Sequence, residues 1–144
     1  MYQIDLNISP ISCFLEWETL GAMMDILLVD DDDALRHTLG RFLTGRGHCV
    51  VMASEGDMAL HLMQTSPPDL LLCDIQMPGM DGITLLQTVR QQFPNLPVIL
   101  MTGARDIDFA IKALRGGATD FLKKPVQLQE LQACLEKIGE STSC

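Results

Sequence analysis

Ile26-Leu27-Leu28-Val29 runs straight into Asp30-Asp31, and three further apolar runs end the same way: Leu70-Leu71-Leu72-Cys73 into Asp74, Val98-Ile99-Leu100-Met101 into Thr102, and Phe121-Leu122 into Lys123-Lys124-Pro125. Continuous aliphatic runs of this length read as strands buried on both faces, the habit of parallel sheets. If the sheet is parallel, all four polar ends open on one edge. Ligands of open α/β sheets sit outside the carboxyl ends of the strands, where the strand order reverses. Carboxylates, a hydroxyl and an ammonium gathered there suit a divalent cation and a phosphoryl group.

From Asp25 onward strand-like and helix-like segments alternate, with strands near 25–30, 49–53, 69–74, 97–102 and 118–122, all five read from continuous apolar runs as buried on both faces. Between them apolar residues recur three or four apart, the helical period. Leu35, Leu39, Phe42 and Leu43 line the first helix, and Met58, Leu62 and Met63 the second. Leu85, Leu86, Val89 and Phe93 line the third, then Ile107, Ala110, Ile111 and Leu114, and finally Leu128, Leu131, Leu135 and Ile138. Gly45 with Gly47, Pro67-Pro68, Phe93-Pro94-Asn95 and Gly116-Gly117 punctuate their ends. Alternation of this kind implies right-handed βαβ crossovers and a doubly wound parallel sheet, an α/β fold.

A chain of 144 residues suggests a single core, and 47% apolar with 20% charged residues is ordinary for a globular protein. No apolar run approaches the roughly 18 residues of a membrane span, and the start lacks the basic region of a secretory signal. Cys13, Cys49, Cys73, Cys134 and Cys144 are odd in number, with no CxxC, which argues against a disulfide framework or a zinc site and for a cytoplasmic setting. A net charge of −9 without a basic stripe disfavours nucleic acid.

Asp30 to Asp33 are consecutive, and like charges so crowded raise one another's pKa unless a cation intervenes. Asp32 and Asp33 read as a helix start, where Asp caps the first turn and suits the dipole. That account does not reach Asp30 and Asp31, which follow the apolar strand directly, nor Asp74 at the end of another. Residues 1–23 stand outside the alternating pattern. They read as an extension, either disordered or upstream of a functional start at Met23 or Met24, or else as a docking arm carrying Phe14, Leu15, Trp17 and Leu20.

These segments resemble the response-regulator receiver domain of two-component signalling, a CheY-like family. Ile26 to Asp31 looks like its opening strand and acidic pair, and Asp74-Ile75-Gln76-Met77-Pro78-Gly79-Met80-Asp81-Gly82 like its phosphoacceptor strand and loop. Met101-Thr102-Gly103-Ala104 and Gly117-Ala118-Thr119-Asp120-Phe121-Leu122-Lys123-Lys124-Pro125 look like its fourth and fifth strand ends. The resemblance implies a five-stranded (βα)5 flavodoxin-like sheet in the order 2-1-3-4-5, a receiver domain over 24–140 and a tail at 141–144.

It also implies roles. Asp74 would be the nucleophile that accepts a phosphoryl group, as a carboxylate can, with Lys124 and Thr102 on the phosphoryl oxygens and the backbone N–H groups of Ile75 and Gly103 completing the cradle. Magnesium would be bound by Asp31, Asp74 and the Gln76 carbonyl, and by Asp30 mainly through a water. Thr102 and Phe121 would carry the switch to an output face at 105–138. The Lys124–Pro125 bond is commonly cis in the family, and Asp81-Gly82 reads as a turn and helix cap rather than a ligand. His37, His48 and His61 lie away from the strand ends and receive no catalytic role.

The function implied is a phosphorylation-controlled signalling module rather than an enzyme, with only self-phosphorylation and autodephosphorylation expected. Its partners would be a sensor histidine kinase or histidine phosphotransfer protein and a downstream target or output domain, with a phosphorylation-dependent dimer left open. A phosphorylation-independent binding module is one alternative. An aspartyl-phosphate phosphatase of the haloacid dehalogenase type is another, disfavoured because Gln76 stands where that class needs a second Asp.

Overall fold

The computed structural model describes residues 23–103 and 107–142, so the extension read at 1–23 lies, Met23 apart, outside the described residues. Five strands, β1 (Asp25–Val29), β2 (Cys49–Ala53), β3 (Leu70–Asp74), β4 (Val98–Thr102) and β5 (Asp120–Lys123), form one parallel sheet in the order β2-β1-β3-β4-β5. Helices α1 (Asp33–Gly45), α2 (Gly56–Thr65), α3 (Gly82–Gln92), α4 (Ile107–Arg115) and α5 (Leu128–Thr142) alternate with them.

Strand alternation sorts the core into two layers. Leu27, Val29, Leu71, Cys73, Val98 and Leu100 meet α2 and α3 through Ala59, Met63, Leu85, Leu86 and Val89. Ile26, Leu28, Leu70, Leu72, Ile99 and Met101 meet α1 and α5 through Leu39, Leu43, Leu131, Leu135 and Ile138. Every residue of β3 is buried. Burying its three leucines contributes about 1.5–3 kcal/mol each, enough to hold the carboxylate of Asp74 out of bulk water.

Val29 pairs with Cys73 across the β1–β3 ladder, so Asp30 and Asp74, one step further, lie side by side where the strand order reverses.

Several expectations need correction. β2 is not buried on both faces: Val51 is 53% and Met52 39% exposed, because β2 pairs only with β1 and stands at the sheet edge. On α2 Met58 faces out and Ala59, four residues before Met63, takes the buried place. Leu128, Ile111 and Leu114 are also exposed. β5 starts at Asp120 rather than 118, since Gly117 turns the chain at φ +106° and Thr119 is spent pairing with Val98. α5 runs to Thr142, past Ile138, because nothing from Glu140 to Thr142 breaks a helix.

His48 is buried, and its Nδ1 accepts a hydrogen bond from the Met24 N–H at 3.0 Å. Burial holds its pKa below the usual imidazole value. Protonation would turn that acceptor into a donor, so the fold favours the neutral ring. A depressed pKa means that this stability is complete above the unfolded value of about 6.5 and is lost as pH falls through it and the folded value. His48→Gln keeps an acceptor that does not titrate. Between pH 7.5 and 5, wild type should lose roughly 1 kcal/mol more than this variant in urea denaturation, the worth of one hydrogen bond. Parallel pH profiles would show that His48 carries no such load.

Candidate functional site

The four consecutive aspartates part company after β1. Asp30 is fully buried, and its Oδ1 accepts the Asp32 N–H at 2.8 Å. Asp31 is exposed beside it. Asp32 caps α1 by accepting the Leu35 N–H at 3.1 Å, and Asp33 in the first turn pairs with Arg36, in keeping with a helix start at this pair. Arg36 also donates from Nη1 to the Asp30 carbonyl at 2.6 Å, fixing the β1–α1 joint. Nothing in the local spacing announces this second bond.

Lys124 follows β5 directly, and its peptide bond to Pro125 is cis. Its Nζ stands 3.2 Å from Asp30 Oδ2 and 3.1 Å from Asp74 Oδ2, so one ammonium spans two buried carboxylates. Burial pushes the Asp74 carboxyl up to about 6, and the neighbouring Asp30 charge adds to this against the pull of Lys124 and the Gln76 N–H. On Lys124 burial works downward, but the two carboxylates outweigh it and hold the ammonium above its ordinary value. Cys73, the other nucleophile nearby, is disabled: burial and then the Asp74 and Asp30 charges push its thiol well above the usual range.

Three carboxylates against one ammonium leave an excess of negative charge. Oxygens of Asp30, Asp31 and Asp74 lie within 4.8 Å of one another, a spacing that could hold a metal ion. Hard carboxylate oxygens with no sulfur or imidazole among them suit magnesium or calcium rather than zinc. Buried Asp30 Oδ2 has the Lys124 ammonium 3.2 Å away but no hydrogen-bond partner among the described residues, so the donor set fits a further cation.

Thr102 is buried at the end of β4, one residue beyond the Met101 that pairs with Asp74, and its hydroxyl donates to the Gly103 carbonyl at 3.2 Å. Phe121, half-buried, packs on the α2–α3 side of the core. The Ile75 N–H, expected to aim into the site, instead donates to the Met101 carbonyl at 2.9 Å. The β3–β4 ladder runs one step past Asp74 and takes that donor. The N–H turned toward the carboxylate is that of Gln76, 3.3 Å from Asp74 Oδ1. A cavity of about 450 Å³, walled in part by Asp31, Gln76, Met77, Pro78 and Asp81, opens on this side. Asp81 is a cap, its side chain accepting the Thr84 N–H at 2.8 Å.

The buried Asp–Lys–Asp bridge and the exposed carboxylate beside it stand at the switch point of a 2-1-3-4-5 sheet, where open α/β sheets bind their ligands. The family described as the response regulator receiver domain matches residues 26–136, and the chain belongs to it. It is 44% identical over 110 residues to the DNA-binding transcriptional regulator NtrC of Klebsiella pneumoniae, 76% of this chain but 24% of that protein. It is 41% identical over 114 residues to the transcriptional regulatory protein ZraR of Escherichia coli, 79% of this chain and 26% of that protein. The chain thus spans about a quarter of the length of the curated relatives it matches. Among solved structures, the receiver domain of NtrX from Brucella abortus superposes with a TM-score of 0.79 at 35% identity, covering 82% of this chain and all of that one (100%). A response regulator from Chloroflexus aurantiacus gives 0.78 at 37%, covering 83% and 99%. The five-stranded order and the signalling-module reading stand on these matches together. Among the described residues no helix is long and apolar enough to cross a membrane.

Proposed function

We propose that Asp74 accepts a phosphoryl group from a histidine kinase or phosphotransfer protein, and that residues 24–140 are the unit that does so. The observation that carries this reading is the Lys124 ammonium spanning Asp30 and Asp74 at 3.2 and 3.1 Å. A carboxylate oxygen of Asp74 attacks phosphorus, the bond from phosphorus to the donor's imidazole nitrogen breaks, and an acyl phosphate forms. Such transfer depends on positioning and charge neutralisation. Lys124, already in contact with the attacking group, pairs with a phosphoryl oxygen, while the Thr102 hydroxyl and the Gly103 and Gln76 N–H groups supply further donors. Magnesium, held by Asp31, Asp74 and the Gln76 carbonyl and through Asp30, would supply the remaining neutralisation.

The new charge then biases the 105–138 face, with Thr102 and Phe121 as the moving parts, toward a downstream target or output domain. Turnover beyond self-phosphorylation from small phosphodonors and autodephosphorylation is not part of this reading. Intact mass after incubation with acetyl phosphate tests it. One magnesium-dependent phosphoryl adduct is expected on wild type and none on Asp74→Asn. An adduct that persists in the variant would move the acceptor elsewhere. No adduct on wild type, with no magnesium-dependent beryllofluoride binding, would leave a phosphorylation-independent binding module.

A further inference from the structure

Arg90, in the last turn of α3, takes no part in the chemistry proposed above, yet it is half-buried and makes two directed contacts. Its Nε donates to the Gly117 carbonyl at 2.8 Å, and its Nη1 to the Phe93 carbonyl at 3.2 Å. Neither acceptor is charged, and among the described residues none of the ion pairs includes Arg90. Burial holds the guanidinium below its ordinary value, as expected for a cation set against carbonyls rather than in water. The turn is shaped around it: Gly117 has φ +106°, and a Cβ there would stand 2.9 Å from Arg90 Nε.

The other end of α3 rests on the acidic site. Gly82 donates to the Ile75 carbonyl at 2.7 Å, and its α-carbon sits so close to Asp74 that a Cβ would stand 2.4 Å from the Asp74 carbonyl oxygen. α3 therefore touches the phosphoacceptor candidate at its first residue and the α4–β5 turn near its last. Between them Leu85, Leu86 and Val89 are buried, which leaves the helix little freedom to slide.

We infer that Arg90 is a coupling residue: it pins the α4–β5 turn to α3, so that a change at Asp74 reaches the output face through α3 as well as through the strands. The inference rests on the phosphoryl-acceptor reading for its signal, and on the resting geometry alone for the pin. A guanidinium is suited to the task, because its planar fork reaches two carbonyls at once whereas a lysine ammonium offers a single point.

Hydrogen exchange on the 144-residue chain, with and without magnesium and beryllofluoride, tests both parts. Without ligand, Arg90→Ala should exchange amides in 107–123 at least roughly tenfold faster, since the charge-assisted bond to the Gly117 carbonyl is gone, while β1 and β3 keep their protection. Arg90→Lys should fall between the two. With beryllofluoride, wild type should gain protection in 107–123, and Arg90→Ala should bind the ligand but lose most of that gain. Unchanged exchange in the unliganded variant would overturn the pin. A gain in 107–123 equal to wild type would overturn the coupling. Failure of wild type to bind beryllofluoride would instead sink the phosphoryl-acceptor reading and the coupling with it, leaving the pin to stand on the unliganded comparison.

Discussion

Asp74→Asn is expected to make the domain more stable at pH 7.5, by about 2–3 kcal/mol in denaturant titrations without divalent cations. The Asp74 carboxyl sits at about 6 in the fold against an ordinary 3.8, burial being the main cause. Each tenfold change in proton affinity is worth about 1.4 kcal/mol, which bounds the gain near 3 kcal/mol; solvent reaching the partly open site screens it to somewhat less. The sign comes from the direction. A raised carboxyl pKa means the folded state binds the proton more readily, so wild type gains stability as pH falls from about 6 toward 3.8. The advantage of Asn, full above that window, should therefore shrink across it and be gone below about pH 4. Millimolar magnesium should raise the stability of wild type and not that of the variant, because a ligand bound only by the folded state stabilises by mass action. A variant no more stable than wild type at pH 7.5 would mean that the ammonium already compensates both carboxylates. Since the same substitution should abolish the phosphoryl adduct, it separates reactivity from stability in one protein.

The strand ends were legible because parallel strands buried on both faces leave continuous apolar runs, and a polar residue that closes such a run must lie at the sheet edge. Asp30, Asp74 and Thr102 are legible that way, whereas Lys124 is singled out from Lys123 only by the family resemblance, and the structure brings its ammonium within 3.2 Å of both carboxylates. The edge position of β2 was not legible. Cys49 to Ala53 has the composition of a central strand, and its exposure comes from topology, which strand order decides and a single run does not encode. The fate of the Ile75 N–H depended on how far the β3–β4 ladder extends beyond the carboxylate, a matter of register. Arg36 and Arg90 were missed for a different reason. Each works by donating to backbone carbonyls, Arg90 to one 27 residues away, and a carbonyl has no signature in a sequence.

Gly82 is a second place where sequence gives the element and not the contact. Asp81-Gly82 reads as a cap and a turn, and the cap forms. The glycine is there for another reason. A Cβ at this position would lie 2.4 Å from the Asp74 carbonyl oxygen and 2.7 Å from the Ile75 Cα. Both obstacles are backbone, both belong to the strand end that carries the phosphoacceptor candidate, and neither can rotate away as a side-chain tip could. Gly82→Ala should therefore destabilise by about 3 kcal/mol, at the upper end of overpacking costs, and any relief gained by moving the joint must shift Asp74 and Gln76. The variant should lose at least roughly tenfold in acetyl phosphate reactivity, since small misplacements of a reacting group are costly. Gly79→Ala is the comparison. Gly79 has φ +79° but open space around its Cβ position, so it should cost only the left-handed backbone penalty of about 1–2 kcal/mol and leave the adduct intact. If Gly82→Ala is as stable and as reactive as wild type, the close seat of α3 on Asp74 is wrong, and the route from that site to Arg90 loses its first contact.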